Sequence, residues 1–277
     1  LSYVESGVLT ESLGKTTNVN LYGCASVNDI YGGGLGSNTS GSEVAANVYG
    51  PVTVTVTNGS APNVYGCNNK NGSPKQEVAV NIDGGTIGNV YGGGNLAAYT
   101  GNGGVSVTMT NGTVDYVYGG GLGTTAVVNG STSVSISGNT TDGTLVNRDV
   151  YGGGSMADVT QNVSVSISGG RIHNDVYGGG ALADTNTENW NGSTLSADVY
   201  SPVEGLTTGV SKVFGFYTQS GSDYTEVKNA DALAAENTTY YRHGTPYKTL
   251  VGLTGGVIGH LNNNTAADYL GGNVYGG

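Results

Sequence analysis

The chain has 277 residues, 51 of them Gly and only 5 Pro, and its nineteen Tyr stand against two Phe and one Trp. Gly at that density weakens helices and favours tight turns, which argues against a helical protein. Nine Lys and Arg face twenty Asp and Glu, a net charge of −11, so nucleic acid and anionic membranes, which reward a basic face, are disfavoured as partners.

No stretch approaches the roughly 18 apolar residues of a membrane span, and neither a signal peptide nor an initiator Met is present. The chain opens and closes inside a repeat, so it is read as a piece of a longer protein. Cys24 and Cys67 are too far apart for a CxxC motif and would pair only if the fold stacks them.

One phrase returns along the chain: Ile30-Tyr31-Gly32-Gly33-Gly34, Val64-Tyr65-Gly66-Cys67, Val90-Tyr91-Gly92-Gly93-Gly94, Val117-Tyr118, Val150-Tyr151, Val176-Tyr177 and Val274-Tyr275-Gly276-Gly277. The tyrosines are spaced by 34, 26, 27, 33, 26 and 98 residues, so the unit is about 26 residues with insertions. Ahead of each phrase lies a strictly alternating segment: Val52-Thr53-Val54-Thr55-Val56, Val78-Ala79-Val80-Asn81-Ile82, Val105-Ser106-Val107-Thr108-Met109 and Val163-Ser164-Val165-Ser166-Ile167. Such alternation predicts a strand with aliphatics inward and Ser/Thr outward. Glycine turns follow at Asn58-Gly59, Gly84-Gly85, Asn111-Gly112, Gly169-Gly170 and Gly255-Gly256, then a second short strand carrying the Tyr. A third segment, Leu96–Thr100 or Met156–Thr160, precedes the next repeat.

A unit this small cannot close a core alone, so the repeats must bury their Val and Ile by stacking. The prediction is an all-β parallel β-helix, a β-solenoid of three-strand coils. It is taken as right-handed because parallel crossovers prefer that hand. A calcium-binding nonapeptide solenoid is excluded by the residues after the Gly runs, Leu35, Asn95, Leu122, Ser155 and Ala181, where an Asp would be needed.

Coils are expected over 1–209 and again over 249–277, with a β-rich insertion at 210–248. Val199-Tyr200-Ser201-Pro202-Val203 resembles Val48–Val52, which places a coil strand near Val203. Within the insertion, Val213–Thr218 and Tyr224–Val227 read as a hairpin about a Ser-Gly-Ser turn, 229–236 as a helical turn or two, and Thr238–Arg242 as a third strand. Long ordered insertions often carry function.

Three repeat columns have chemistry. Tyr31, Tyr65, Tyr91, Tyr118, Tyr151, Tyr177 and Tyr275 alternate outward if Val is inward, and read either as an aromatic strip for sugars or proteins or as a structural ladder. Tyr91, Tyr118, Tyr151 and Tyr177 are its candidate binding members, joined by Tyr217, Tyr224, Tyr240, Tyr241 and Trp190. Asp29, Asn63, Asn89, Asp149, Asp175 and Asn273 form the second column. Asp149 and Asp175, with Arg148 and His173 nearby, are the most enzyme-like cluster, since paired carboxylates serve glycosidases. Asn at the same position elsewhere instead suits side-chain bonding to turn backbone. Outward Thr53/Thr55, Ser106/Thr108, Ser133/Ser135 and Ser164/Ser166 read as a solvated face. His173, His243 and His260 show no metal spacing, and no cofactor is implied.

The xVxVxGG then (N/D)VYGGG pattern, over about 19–200 and 249–277, resembles the repeat regions of large bacterial cell-surface proteins, adhesin-like β-helix proteins common among gut anaerobes. The resemblance implies an extracellular or surface-exposed spacer or adhesin presenting its insertion to glycans or host proteins. The alternative is a polysaccharide-cleaving β-helix lyase or glycosidase using Asp149, Asp175 and Arg148. Exposed edge strands also predict end-to-end self-association.

Overall fold

The computed structural model describes residues 3–5, 8–10, 16–24, 27–139, 143–189, 200–202, 217–226, 239–243, 247–261 and 269–277. Among them the protein is all-β, with one 3-10 turn at Thr187–Asn189 and no α-helix. Among the described residues no helix is long and apolar enough to cross a membrane. The chain divides into two compact units, Leu1–Asn186 with Lys248–Gly277, and Thr187–Tyr247.

In the first unit the alternating segments stack in parallel and in register. Thr17–Leu21 pairs Val52–Val56, which pairs Val78–Tyr91, then Val105–Tyr118, Thr132–Ile136, Val163–Ile172 and Thr249–Leu261. Equal repeat positions therefore face each other: Val54, Val80, Val107, Val134, Val165 and Val251 form one column. Alternation sends every second side chain inside, and Val52, Val54 and Val56 are at most 1 % exposed while Thr53 and Thr55 are half-buried. Val56, Ile82, Met109, Ile136 and Ile167 form the next inward column, two residues along each strand, all fully buried. Each such side chain is worth about 1.5–3 kcal/mol on burial, a gain no repeat obtains without a neighbour.

A second parallel ladder follows the corner. Asp29–Tyr31 pairs Ser60–Tyr65, and Val64, Val90, Val117, Val150, Val176 and Val274 stand in one column with the tyrosines beside them. The expected break at the glycine turn is absent in four repeats: Val78–Tyr91, Val105–Tyr118, Val163–Ile172 and Thr249–Leu261 run unbroken past it. The ladder instead shifts register between Ile82 and Thr86. Gly85 sits there at φ +83, a left-handed conformation that a residue with a Cβ rarely adopts, so the strand bends as a bulge and pairing resumes at Thr86.

Where the corner is longer, the strand divides. Thr132–Ile136 and Thr144–Val146 are successive pieces of one repeat, and both lie between Val105–Tyr118 and Val163–Ile172. The pairings of these four strands therefore form a closed parallel circuit. The expected third strand of each repeat is reduced to single bridges, Tyr99 to Val128, Val128 to Val159 and Val159 to Thr185.

Thr249–Leu261 takes up the ladder where the sequence pattern returns, then pairs antiparallel with Tyr269–Gly271. A separate antiparallel hairpin joins Tyr3–Glu5 to Val8–Thr10. No disulfide joins Cys24, which is exposed, to Cys67, which is buried with its Sγ donating to the Gly92 carbonyl at 3.6 Å.

The second unit, Thr187–Tyr247, is wider than the 210–248 read from composition. Its antiparallel sheet has the order Tyr200–Pro202, Tyr241–His243, Tyr217–Ser220, Asp223–Glu226. Tyr217–Ser220 and Asp223–Glu226 form a hairpin around Gly221, at φ +63. Tyr200–Pro202, whose sequence resembles a coil entry, pairs antiparallel with Tyr241–His243. The helical turn expected at 229–236 and the first residues of the expected hairpin, 213–216, lie outside the described residues.

Candidate functional site

The tyrosine column is a continuous stack. Tyr31, Tyr65, Tyr91, Tyr118, Tyr151, Tyr177 and Tyr275 follow one another with ring centroids 4.7–5.1 Å apart and planes within 3–8° of parallel. Parallel in-register strands impose this spacing, because neighbouring strands lie about 4.8 Å apart. Each inner ring has both faces covered by its neighbours, and Tyr65, Tyr91 and Tyr118 are buried. Tyr116 leans on Tyr118 at 6.0 Å. A sugar stacking on an aromatic face finds none open between Tyr65 and Tyr177.

Burial also suppresses phenol ionisation. It pushes Tyr65, Tyr91, Tyr118 and Tyr151 up, with help from neighbouring phenols or carboxylates. Burial and the adjacent carboxylate raise Tyr31, beside Asp29, and Tyr177, beside Asp175, each to about 12. Their hydroxyls donate to those carboxylates, at 3.3 Å and 3.0 Å.

The Asp/Asn column runs alongside, and its members bond one another. Asn63 Nδ2 donates to Asp29 Oδ1 at 2.9 Å, and Asn89 Nδ2 to Asn63 Oδ1 at 2.9 Å. The Asp175 N–H donates to Asp149 Oδ1 at 3.1 Å, while the Asn273 Nδ2 and backbone N–H both donate to Asp175 Oδ1. Asp149 and Asp175 do lie on adjacent strands, but each oxygen named here is an acceptor holding the next repeat. Arg148 is exposed and its backbone N–H donates to the Asp115 carbonyl. Among the described residues no cluster of three His, Cys, Asp or Glu side chains is placed to hold a metal.

In the second unit Tyr217 and Tyr241 are partners on neighbouring strands, Tyr240 is buried, and Tyr224 stands opposite Gln219. Trp190 lies outside the described residues. The Tyr247 hydroxyl bonds Glu188, which raises its pKa and ties the unit's end to its start.

One concave feature escaped the sequence reading. A groove of about 520 Å³ is lined by Asn38, Asn47, Lys70, Asn71, Lys75 and Thr100, among others. It is assembled from the segments that follow Tyr31, Tyr65, Tyr91 and, through Thr125, Tyr118 in four successive repeats, so no contiguous motif announces it. The available signal was Lys70 and Lys75 close together in a chain with only nine Lys and Arg. No family model, curated protein or solved structure matches this chain.

Proposed function

We propose that this chain is a stretch of a right-handed parallel β-solenoid exposed on a bacterial surface, structural and adhesive in role, whose Thr187–Tyr247 unit is presented to glycan or protein partners. One observation carries the reading. The column that looked most enzyme-like is occupied in linking repeat to repeat, with Asp149 and Asp175 accepting from the next strand. A catalytic carboxylate needs its oxygens for substrate or water; here Oδ1 of each aspartate is held by the next repeat, and Asp175 Oδ2 accepts from Tyr177. The in-register ladders support the solenoid, since each repeat returns to the same position one strand spacing on. The surface location rests on the resemblance of the repeats to those of bacterial surface proteins.

The test is a glycan-array screen of the intact chain beside a version in which Thr187–Tyr247 is replaced by a short Gly/Ser loop. The replacement is feasible because the flanking residues meet: Thr249 Oγ1 donates to Asn186 Oδ1 at 2.8 Å. Binding lost with the unit supports an adhesin, and no binding by either version leaves a spacer. Cleavage of a polysaccharide panel that disappears in Asp149→Asn would replace this reading with an enzyme.

A further inference from the structure

We propose that the groove beside Lys70 and Lys75 is a binding site for an anionic saccharide, a sugar chain bearing carboxylate or sulfate groups. The inference goes beyond the role proposed above, because it places a ligand on the stacked repeats and not on the Thr187–Tyr247 unit.

Charge is the first ground. The molecule carries −11 overall, yet this groove is lined by two lysines and no carboxylate. Glu43 and Glu77 stand two residues along the chain from the lining residues Ala45 and Lys75 but do not themselves line the groove, so the lysines are the charged side chains it presents to a ligand. Lys75 Nζ is anchored by donating to Thr100 Oγ1 at 2.9 Å, which positions one ammonium over the groove. Lys70 is exposed, and its Nζ has no partner among the described residues.

Polar chemistry is the second. Asn38 donates from Nδ2 to the Lys70 carbonyl, leaving Oδ1 without a partner among the described residues. Asn47 accepts from the Ser73 N–H with Oδ1, which leaves its Nδ2 in the same state. The segment following Tyr31 thus brings both an acceptor and a donor to the groove, the pairing that vicinal hydroxyls satisfy. The two amides are held in place by the bonds they already make, so little side-chain entropy remains to be lost on binding.

Shape is the third. About 520 Å³ lies within the usual range for small-ligand sites, roughly 300–1,000 Å³. The groove has no aromatic lining on which a nucleobase would stack, and Leu96 is the one large aliphatic side chain among its lining residues. That favours a saccharide over a nucleotide or an apolar peptide anchor.

The experiment titrates the intact chain, the Thr187–Tyr247 loop replacement and Lys70→Gln/Lys75→Gln with polygalacturonate, dextran sulfate and neutral dextran. Intact chain and loop replacement are expected to bind at least one of the two anionic polymers equally well. The double variant should bind about tenfold or more weakly, and raising salt should weaken binding by the intact chain. A preference between carboxylate and sulfate polymers identifies the anion. The proposal is overturned if neither anionic polymer binds, if neutral dextran binds as tightly, or if the double variant binds as well as the parent. Unchanged melting of the double variant shows that any loss comes from the groove. Binding lost only in the loop replacement overturns the groove and leaves the adhesive role of the second unit standing.

Discussion

Tyr91 has a ring against each face, at 5.0 Å and 4.9 Å, and is buried. An ionised phenol there would lose its hydration with no cation to replace it, and the next ionised ring would lie one strand spacing away. The folded pKa values of Tyr31, Tyr65, Tyr91, Tyr118, Tyr151 and Tyr177 therefore stand above the ordinary value of 10.0, at about 12 for Tyr31 and Tyr177. The unfolded chain releases these protons near pH 10, before the folded one does. The stabilisation is thus fully present below pH 10 and is lost as pH rises from 10 through about 12. Absorbance of phenolate and loss of strand signal, followed together from pH 9 to pH 12.5, should rise and fall in one transition. Phenols that titrate near pH 10 while the strands persist would show that the stack is open to water.

At the scale of strands, the corner glycines set how closely repeats approach. A Cβ on Gly92 would meet the Gly119 carbonyl oxygen and lie 2.6 Å from Val105 Cγ1. The first obstacle is backbone of the next repeat and cannot rotate away. Gly92→Ala should cost about 1–3 kcal/mol, the usual penalty of overpacking, read as a shift in denaturant midpoint. Gly23, whose added Cβ meets nothing within 4 Å, supplies the comparison: Gly23→Ala should leave the midpoint in place.

Much of this level was written in the residues. Val52–Val56 alternates visibly, and its burial alternates in step. The return of the ladder at Thr249 was readable because the pattern Leu250–Gly256 repeats what came before. Two things were not readable. Whether Gly84-Gly85 ends a strand or only bends it depends on the next repeat, which holds the bulge in its ladder. Likewise Tyr200–Pro202 has the local sequence of a coil entry, and its pairing is decided by Tyr241–His243, some forty residues on. The Asp149–Asp175 juxtaposition was legible from the spacing of the repeat. Asn at the equivalent positions pointed to side-chain bonding with backbone, and the structure shows such bonds made to the backbone of the next repeat.

At the scale of the molecule, each repeat of the first unit draws its stability from the repeats on either side. The bonds between repeats, such as Gly66 N–H to the Tyr91 carbonyl and Gly92 N–H to the Tyr118 carbonyl, all point in the direction of stacking. A pull on the two ends of the stack would therefore not shear the strands past one another. It would peel them, loading the bonds of one terminal repeat while its neighbours bear little force. Every repeat released would add slack of roughly 90 Å, about 26 residues at about 3.3–3.6 Å each. Stretched in an optical trap, the chain should lengthen in a staircase with steps near that size; a single all-at-once rupture would show that the repeats fail together. If the chain serves as the surface spacer proposed above, it would absorb a sudden tug by yielding a link at a time.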